Sequence, residues 1–191
     1  MKVDAAAILA GSALNISKHN GTCTLDLQPH YYNGTVEIKH LSVPGNLDGF
    51  KLQTSAAPSS ADFWYFDVFS QSTKQTLNIV FFNSGDFAQY PHPLALQVSG
   101  VYENGTDFYF EAMADDGVHL VNGPDGVTGD WGMARFSGSP LDKPNIRYSI
   151  SIDSPEMDIK GTIDFQSVCD IFLGPSSTQL DLNQRSVNAY S

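Results

Sequence analysis

The stretch Asp62-Phe63-Trp64-Tyr65-Phe66-Asp67-Val68-Phe69 sets one carboxylate, Asp67, and one phenol, Tyr65, inside a run of aromatics. A carboxyl desolvated by such neighbours favours its neutral form and can act as a general acid. The same group is equally suited to accept hydrogen bonds from an Arg, and Arg135 is the available partner. Uncharged donors stand on neighbouring apolar segments: Tyr65, Asn78, Asn83 and Trp131. Trp64, Asp67, Phe82 and Trp131 are candidates to line a ligand, the two tryptophans being as well suited to a plain core. Glu111, facing away from Phe108 and Phe110, reads as solvated.

Other chemistries find little support. Cys23 and Cys169 lie near opposite ends of the chain without a Cys-x-x-Cys spacing, and His19, His30, His40, His92 and His119 are scattered singly, so no metal site is expected. In an oxidising compartment Cys23 and Cys169 would close one disulfide across a long loop; elsewhere they are two free thiols.

Those residues must be positioned by strands. Successive side chains of a strand point to opposite faces, so Trp64, Phe66 and Val68 share one face while Phe63, Tyr65, Asp67 and Phe69 share the other. Both faces are largely apolar, which suits a strand with a core on one side and a second enclosed, ligand-holding space on the other. Thr76 to Asn83 is a second such strand. Leu94 to Tyr102 and Asp107 to Met113 flank Glu103-Asn104-Gly105-Thr106, a hairpin signal. Asp130 to Ser137, Asn145 to Asp153 and Asp158 to Val168 complete the set, the last two alternating as strands with one wet face. The expected fold is all-β, an antiparallel lipocalin-like barrel or sandwich in a single domain over residues 61–168, with Trp64, Phe66, Val68, Ile79, Phe81, Ile150, Ile152, Ile163 and Phe165 inside. Residues 15–60, rich in Pro, Gly, Ser and Asn, read as an irregular arm, and 169–191 as a separate tail, disordered or loosely attached from about Gly174.

Composition bounds the partners. Of 191 residues, 41% are hydrophobic, enough for one core. With Lys+Arg 10 against Asp+Glu 21 the formal charge is -11, which disfavours nucleic acid and anionic membrane surfaces. No apolar run reaches the ~20 residues of a spanning helix. Residues 1–14, with Lys2 before the small apolar run Ala5 to Leu14, outline either a signal peptide interrupted by Asp4 or a short N-terminal helix. Sequons at Asn15, Asn20, Asn33 and Asn104 are candidate glycosylation sites, though Asn-Gly at three of them is also a turn signal. A secreted or endomembrane setting is favoured over the cytoplasm.

A resemblance rests on spaced motifs: Leu47-Asp48-Gly49, Ala61 to Val68, Trp131-Gly132 with Phe136-Ser137-Gly138-Ser139-Pro140, and Ile152-Asp153-Ser154-Pro155-Glu156 with Ile159-Lys160-Gly161-Thr162-Ile163. Together they resemble the N-terminal half of the fungal Diels–Alderases of secondary metabolism, lipocalin-like proteins related to the carotenoid hydratase of hydroxyneurosporene synthesis. The similarity covers about residue 45 to residue 168. It implies a pair of β domains with a substrate cavity in or between them, so that a second β domain, or self-association, would complete a chain whose residues 169–191 depart from the pattern and whose activity is therefore in question.

The resemblance implies a cofactor-independent pericyclase that folds a hydrophobic polyene for intramolecular cyclisation. Positioning alone contributes on the order of 7–11 kcal/mol in well-oriented intramolecular reactions. Tyr65, Asn78 and Asn83 would then be the neutral donors that polarise a dienophile carbonyl, beside substrate contacts from Trp64, Asp67, Phe82 and Trp131. Two alternatives stay open: a non-catalytic carrier of a hydrophobic metabolite, and a hydratase of an isoprenoid chain.

Overall fold

The computed structural model describes residues 16–19, 21–38, 48–85, 90–167 and 187–190. Among them lie twelve strands and no helix: β1 (Ile16–His19), β2 (Thr22–Leu27), β3 (Ala61–Phe69), β4 (Thr76–Ser84), β5 (Leu94–Val101), β6 (Asp107–Met113), β7 (Val118–Gly123), β8 (Gly126–Asp130), β9 (Ala134–Gly138), β10 (Arg147–Ser154), β11 (Ile159–Ser167) and β12 (Val187–Tyr190). Eight form one sheet in the order β1-β2-β7-β8-β9-β10-β11-β12, and the other four form a second in the order β3-β4-β5-β6. Every pairing is antiparallel. The expected all-β class is what the chain adopts.

Aromatic side chains from both sheets meet in the middle. Trp64 of β3 sits 5.3 Å from Phe136 of β9 and 5.7 Å from Trp131, while Phe81 of β4 lies 5.0 Å from Trp131 and 5.1 Å from Phe136 (ring centroids). Phe66 reaches Tyr148 of β10 at 5.6 Å and Phe165 of β11 at 5.9 Å. The tilted and edge-on geometries are those the ring quadrupoles favour. Of the nine expected interior residues, Trp64, Ile79, Phe81, Ile150, Ile152 and Phe165 are buried and Phe66, Val68 and Ile163 pack against them.

Strand β4 is apolar on both faces for a visible reason. Ile79 and Phe81 enter the central core, whereas Val80 and Phe82 form a second, smaller cluster with Tyr90 and Ala95 on the outer side. Tyr90 closes that cluster, its hydroxyl within 2.8 Å of Glu111. On β3, by contrast, the outer face is open: Phe63 and Tyr65 are about half exposed and Phe69 is 70% exposed.

Several expectations need correction. Residues 15–60 are not wholly irregular, since β1 and β2 extend the large sheet, with Cys23, Leu25 and Leu27 buried at alternate positions. The tail is attached at β12, which pairs with β11. Asp130 to Ser137 is a hairpin corner and not one strand: Gly132 takes a φ of 80°, its N–H donates to Asp130 Oδ1 at 2.8 Å, and the chain turns from β8 into β9. The β5–β6 hairpin forms as expected, with Asn104 Oδ1 accepting from Thr106 N at 2.9 Å and Gly105 at a φ of 83°.

The expected Asp67–Arg135 pair does not form. The two residues lie on different sheets, and Arg135 instead reaches its cross-strand partner Asp130 at 3.8 Å. Two expectations fall wholly outside the described residues: the leader or helix at 1–14, and the sequons at Asn15 and Asn20.

Candidate functional site at the edge of the four-stranded sheet

Strand β3 is an edge strand, and against that edge opens a pocket of about 550 Å³. Trp64 and Phe66 from β3, Tyr148 from β10 and Phe165 from β11 furnish aromatic wall, with Tyr65, Asp67 and Phe69 at the rim. The segment 48–52 crosses the pocket and brings Asp48 and Lys51 to it.

That segment is irregular in sequence, so its position depends on side-chain anchors. Asp62, at the start of β3, accepts from the backbone N–H of Lys51 at 2.5 Å and of Leu52 at 3.1 Å. The Trp64 indole N–H donates to the Asp48 carbonyl at 2.7 Å. The Tyr148 hydroxyl donates to Asp48 Oδ2, and Lys51 Nζ donates to the Gly49 carbonyl. Gly49 is required here because a Cβ at that position would collide with the fully buried side chain of Asn122.

Burial shifts the titration of the charged groups here. It pushes the Asp48 carboxyl above the usual range, opposed by its own backbone N–H and by the Lys51 charge. Asp62 is likewise raised by burial, against the two backbone donors and Lys51. Burial pulls the Lys51 ammonium down, while Asp62 and then Asp48 hold it up. The Oδ1 atom of Asp48 is enclosed and has no hydrogen-bond partner. Together these features give an aromatic-walled pocket beside a carboxyl whose pKa burial raises.

The sequence candidates scatter around this site. Trp64 is in the pocket wall and Tyr65 and Asp67 are at its rim, and the Tyr65 phenol is raised by burial and then by Asp67. Asn78 lies across from Asp67 in the β3–β4 ladder, outside the pocket lining. Asn83 is buried with its amide occupied, Oδ1 accepting from Ala56 N at 2.7 Å and Nδ2 donating to the Thr54 carbonyl at 3.0 Å. Phe82 belongs to the outer cluster under Phe63, and Trp131 is a core residue donating to the Phe82 carbonyl at 3.2 Å. Neither lines the pocket. Cys23 is a buried free thiol and Cys169 falls outside the described residues. Asn33 and Asn104 are exposed. No group of three or more His, Cys, Asp and Glu suited to a metal occurs among the described residues.

Asp48, Lys51 and Tyr148 were not singled out as site residues from the sequence. Asp48 did stand in the Leu47-Asp48-Gly49 motif, the signal that pointed to it.

Fold and pocket define a two-sheet antiparallel β domain with an aromatic pocket and an embedded carboxyl. The chain is similar to the quinolone epoxide rearrangement protein penF of Penicillium thymicola, 31% identical over 144 residues that make up 72% of this chain and 40% of that protein. It is also 32% identical over 170 residues to the quinolone epoxide rearrangement protein asqO of Emericella nidulans, covering 83% of this chain and 46% of that one. The chain thus spans less than half the length of these curated relatives. No family model matches it, and no solved structure does. The relatives place the resemblance among fungal rearrangement proteins, and their names do not carry the Diels–Alder chemistry expected from the motifs.

Proposed function

We propose that this chain forms the catalytic pocket, or part of it, of a cofactor-independent isomerase of fungal secondary metabolism that rearranges a hydrophobic aryl epoxide. The observation that carries this reading is the pocket at β3, in which a half-buried carboxyl sits beside aromatic walls. Opening a protonated epoxide leaves positive charge beside an aryl group, and such charge is stabilised by nearby aromatic faces. The names of the two relatives agree with an epoxide as the reacting group. Net isomerisation consumes no reductant, oxidant or water, in keeping with a site of carboxyl, phenol and aromatic groups.

A second reading is intramolecular cyclisation of a polyene, favoured by the same walls, which would fold a flexible chain so that its reacting ends meet. Incubation with an aryl-substituted quinolone epoxide separates the possibilities by mass. An isomer of unchanged mass, free of oxygen from labelled water, supports the rearrangement. A hydrated product supports the hydratase alternative, cyclisation of a linear polyene supports the second reading, and tight binding without conversion supports a carrier.

A further inference from the structure

We infer that the free edge of β3 is a lactam-binding site, in which the Tyr65 carbonyl accepts the ring N–H of an aryl ligand and the Asp67 N–H donates to its ring carbonyl. The inference rests on the rearrangement reading and deepens it, since it names how the end of the substrate away from the epoxide is held.

The orientation of the β3 main chain follows from its ladder. Ser70 N donates to the Gln75 carbonyl at 2.9 Å and Gly85 N to the Ser60 carbonyl at 2.8 Å. Between these two bonds β3 and β4 keep an unbroken register, from the Ala61–Ser84 pair to the Phe69–Thr76 pair. Bonding residues alternate along an antiparallel pair, so Asp62, Trp64, Phe66 and Val68 turn their N–H and C=O groups toward β4. Phe63, Tyr65, Asp67 and Phe69 turn theirs the other way. No strand among the described residues pairs with that side, and all four residues line the pocket. The pocket is therefore bordered by a row of main-chain donors and acceptors that the ladder does not use.

A ligand suited to that row is flat, largely apolar, and carries an N–H beside a C=O. A cyclic secondary amide fused to an aryl ring has all of these properties. The Tyr65 C=O and the Asp67 N–H, with Phe66 between them, point to the same side and offer the lactam one acceptor and one donor. Its ring then continues the plane of the small sheet, next to the Phe66, Tyr148 and Phe165 side chains of the pocket wall. Main-chain groups already held in a strand lose no rotamer freedom on binding. A ligand that covers them without pairing leaves polar groups unsatisfied, which makes the edge selective for a lactam over its N-alkylated form.

The full chain, at low and at high protein concentration, is titrated with phenanthridinone and with N-methylphenanthridinone. Phenanthridinone should bind about 10-fold more tightly, move the Asp67 amide proton downfield in nitrogen-edited NMR and slow its exchange. Asp67→Pro deletes that N–H without touching the ladder to β4, at a position where an edge strand accepts proline. Asp67→Ala deletes the same side chain and keeps the N–H, so the proline variant should bind phenanthridinone about 10-fold more weakly than the alanine variant. Equal binding of the two lactams by the wild type overturns the inference, as does an Asp67 amide that phenanthridinone leaves unmoved; neither result depends on a variant folding. Protection of the β3 edge amides that grows with protein concentration and that phenanthridinone does not alter assigns the edge to a second copy, and also overturns it. A chain that binds phenanthridinone in the stated way and leaves aryl epoxides unconverted counts against the rearrangement reading and not against the edge site.

Discussion

The indole N–H of Trp64 donates to the carbonyl oxygen of Asp48 at 2.7 Å, so one core tryptophan both stacks on Phe136 and fixes the segment that carries the pocket carboxyl. Trp64→Phe keeps an aromatic ring and removes that donor. It should cost about 1–3 kcal/mol, because the Asp48 carbonyl is left without its partner. The Asp48 titration midpoint should move back toward the ordinary carboxyl range as the segment loosens and water enters. Urea unfolding and carbon NMR of the Asp48 carboxyl check the two effects.

Asn83 ties β4 to residues 54–56 through both ends of its amide, an arrangement with a role in stability. Asn83→Ala leaves the buried Ala56 N–H and the Thr54 carbonyl unpaired, and a loss of about 1–3 kcal/mol is expected for such a change. At a temperature well below the transition of the variant, its rate per folded molecule should be unchanged. A rate loss with no change in the unfolding curve would instead return Asn83 to the role of a donor to substrate.

Acid should stabilise this fold over part of the carboxyl range. Asp48 and Asp62 have folded-state values raised by burial, so the folded chain binds protons more tightly at these sites than the unfolded chain. Their contribution is present in full below the unfolded value of about 3.9 and is lost as pH rises through the folded value. Replacing Asp48 by Asn removes its share of that loss, so the difference in urea midpoint between Asp48→Asn and wild type should increase, in favour of the variant, as pH rises from 4 to 7.

What was legible in the sequence was the strand with two apolar faces. Trp64, Phe66 and Val68 do enter the core, and Phe63, Tyr65, Asp67 and Phe69 do share the other face, because strand periodicity is a local property. The surroundings of that second face were not legible, since they depend on β3 being a sheet edge. The same limit defeated the Asp67–Arg135 pairing, which required knowing which sheet each strand joins. Strand β2 was readable from Cys23, Leu25 and Leu27 alternating with Thr22, Thr24 and Asp26, a signal obscured by the turn-rich composition around it. Asp48 was hidden for a different reason. It lies on no periodic element, and side chains distant in sequence, Tyr148 being 100 residues away, create its environment.

The outer face of β3 supplies the last prediction. Phe63, Tyr65 and Phe69 are 54%, 53% and 70% exposed on one edge strand, beside the buried Val80 and Phe82 of β4. Contiguous exposed aromatics on a sheet edge bind other apolar surfaces. The chain should therefore enhance the fluorescence of a hydrophobic dye while native and self-associate as its concentration rises. Phe69→Ser should weaken both, because it removes the most exposed of the three rings and leaves the central core intact. Its unfolding midpoint should shift little, surface changes away from packed features being worth within about 0.5 kcal/mol. Dye titration and sedimentation velocity on wild type and variant decide it. Equal dye binding by the two would show that Phe69 is not part of an adhesive face.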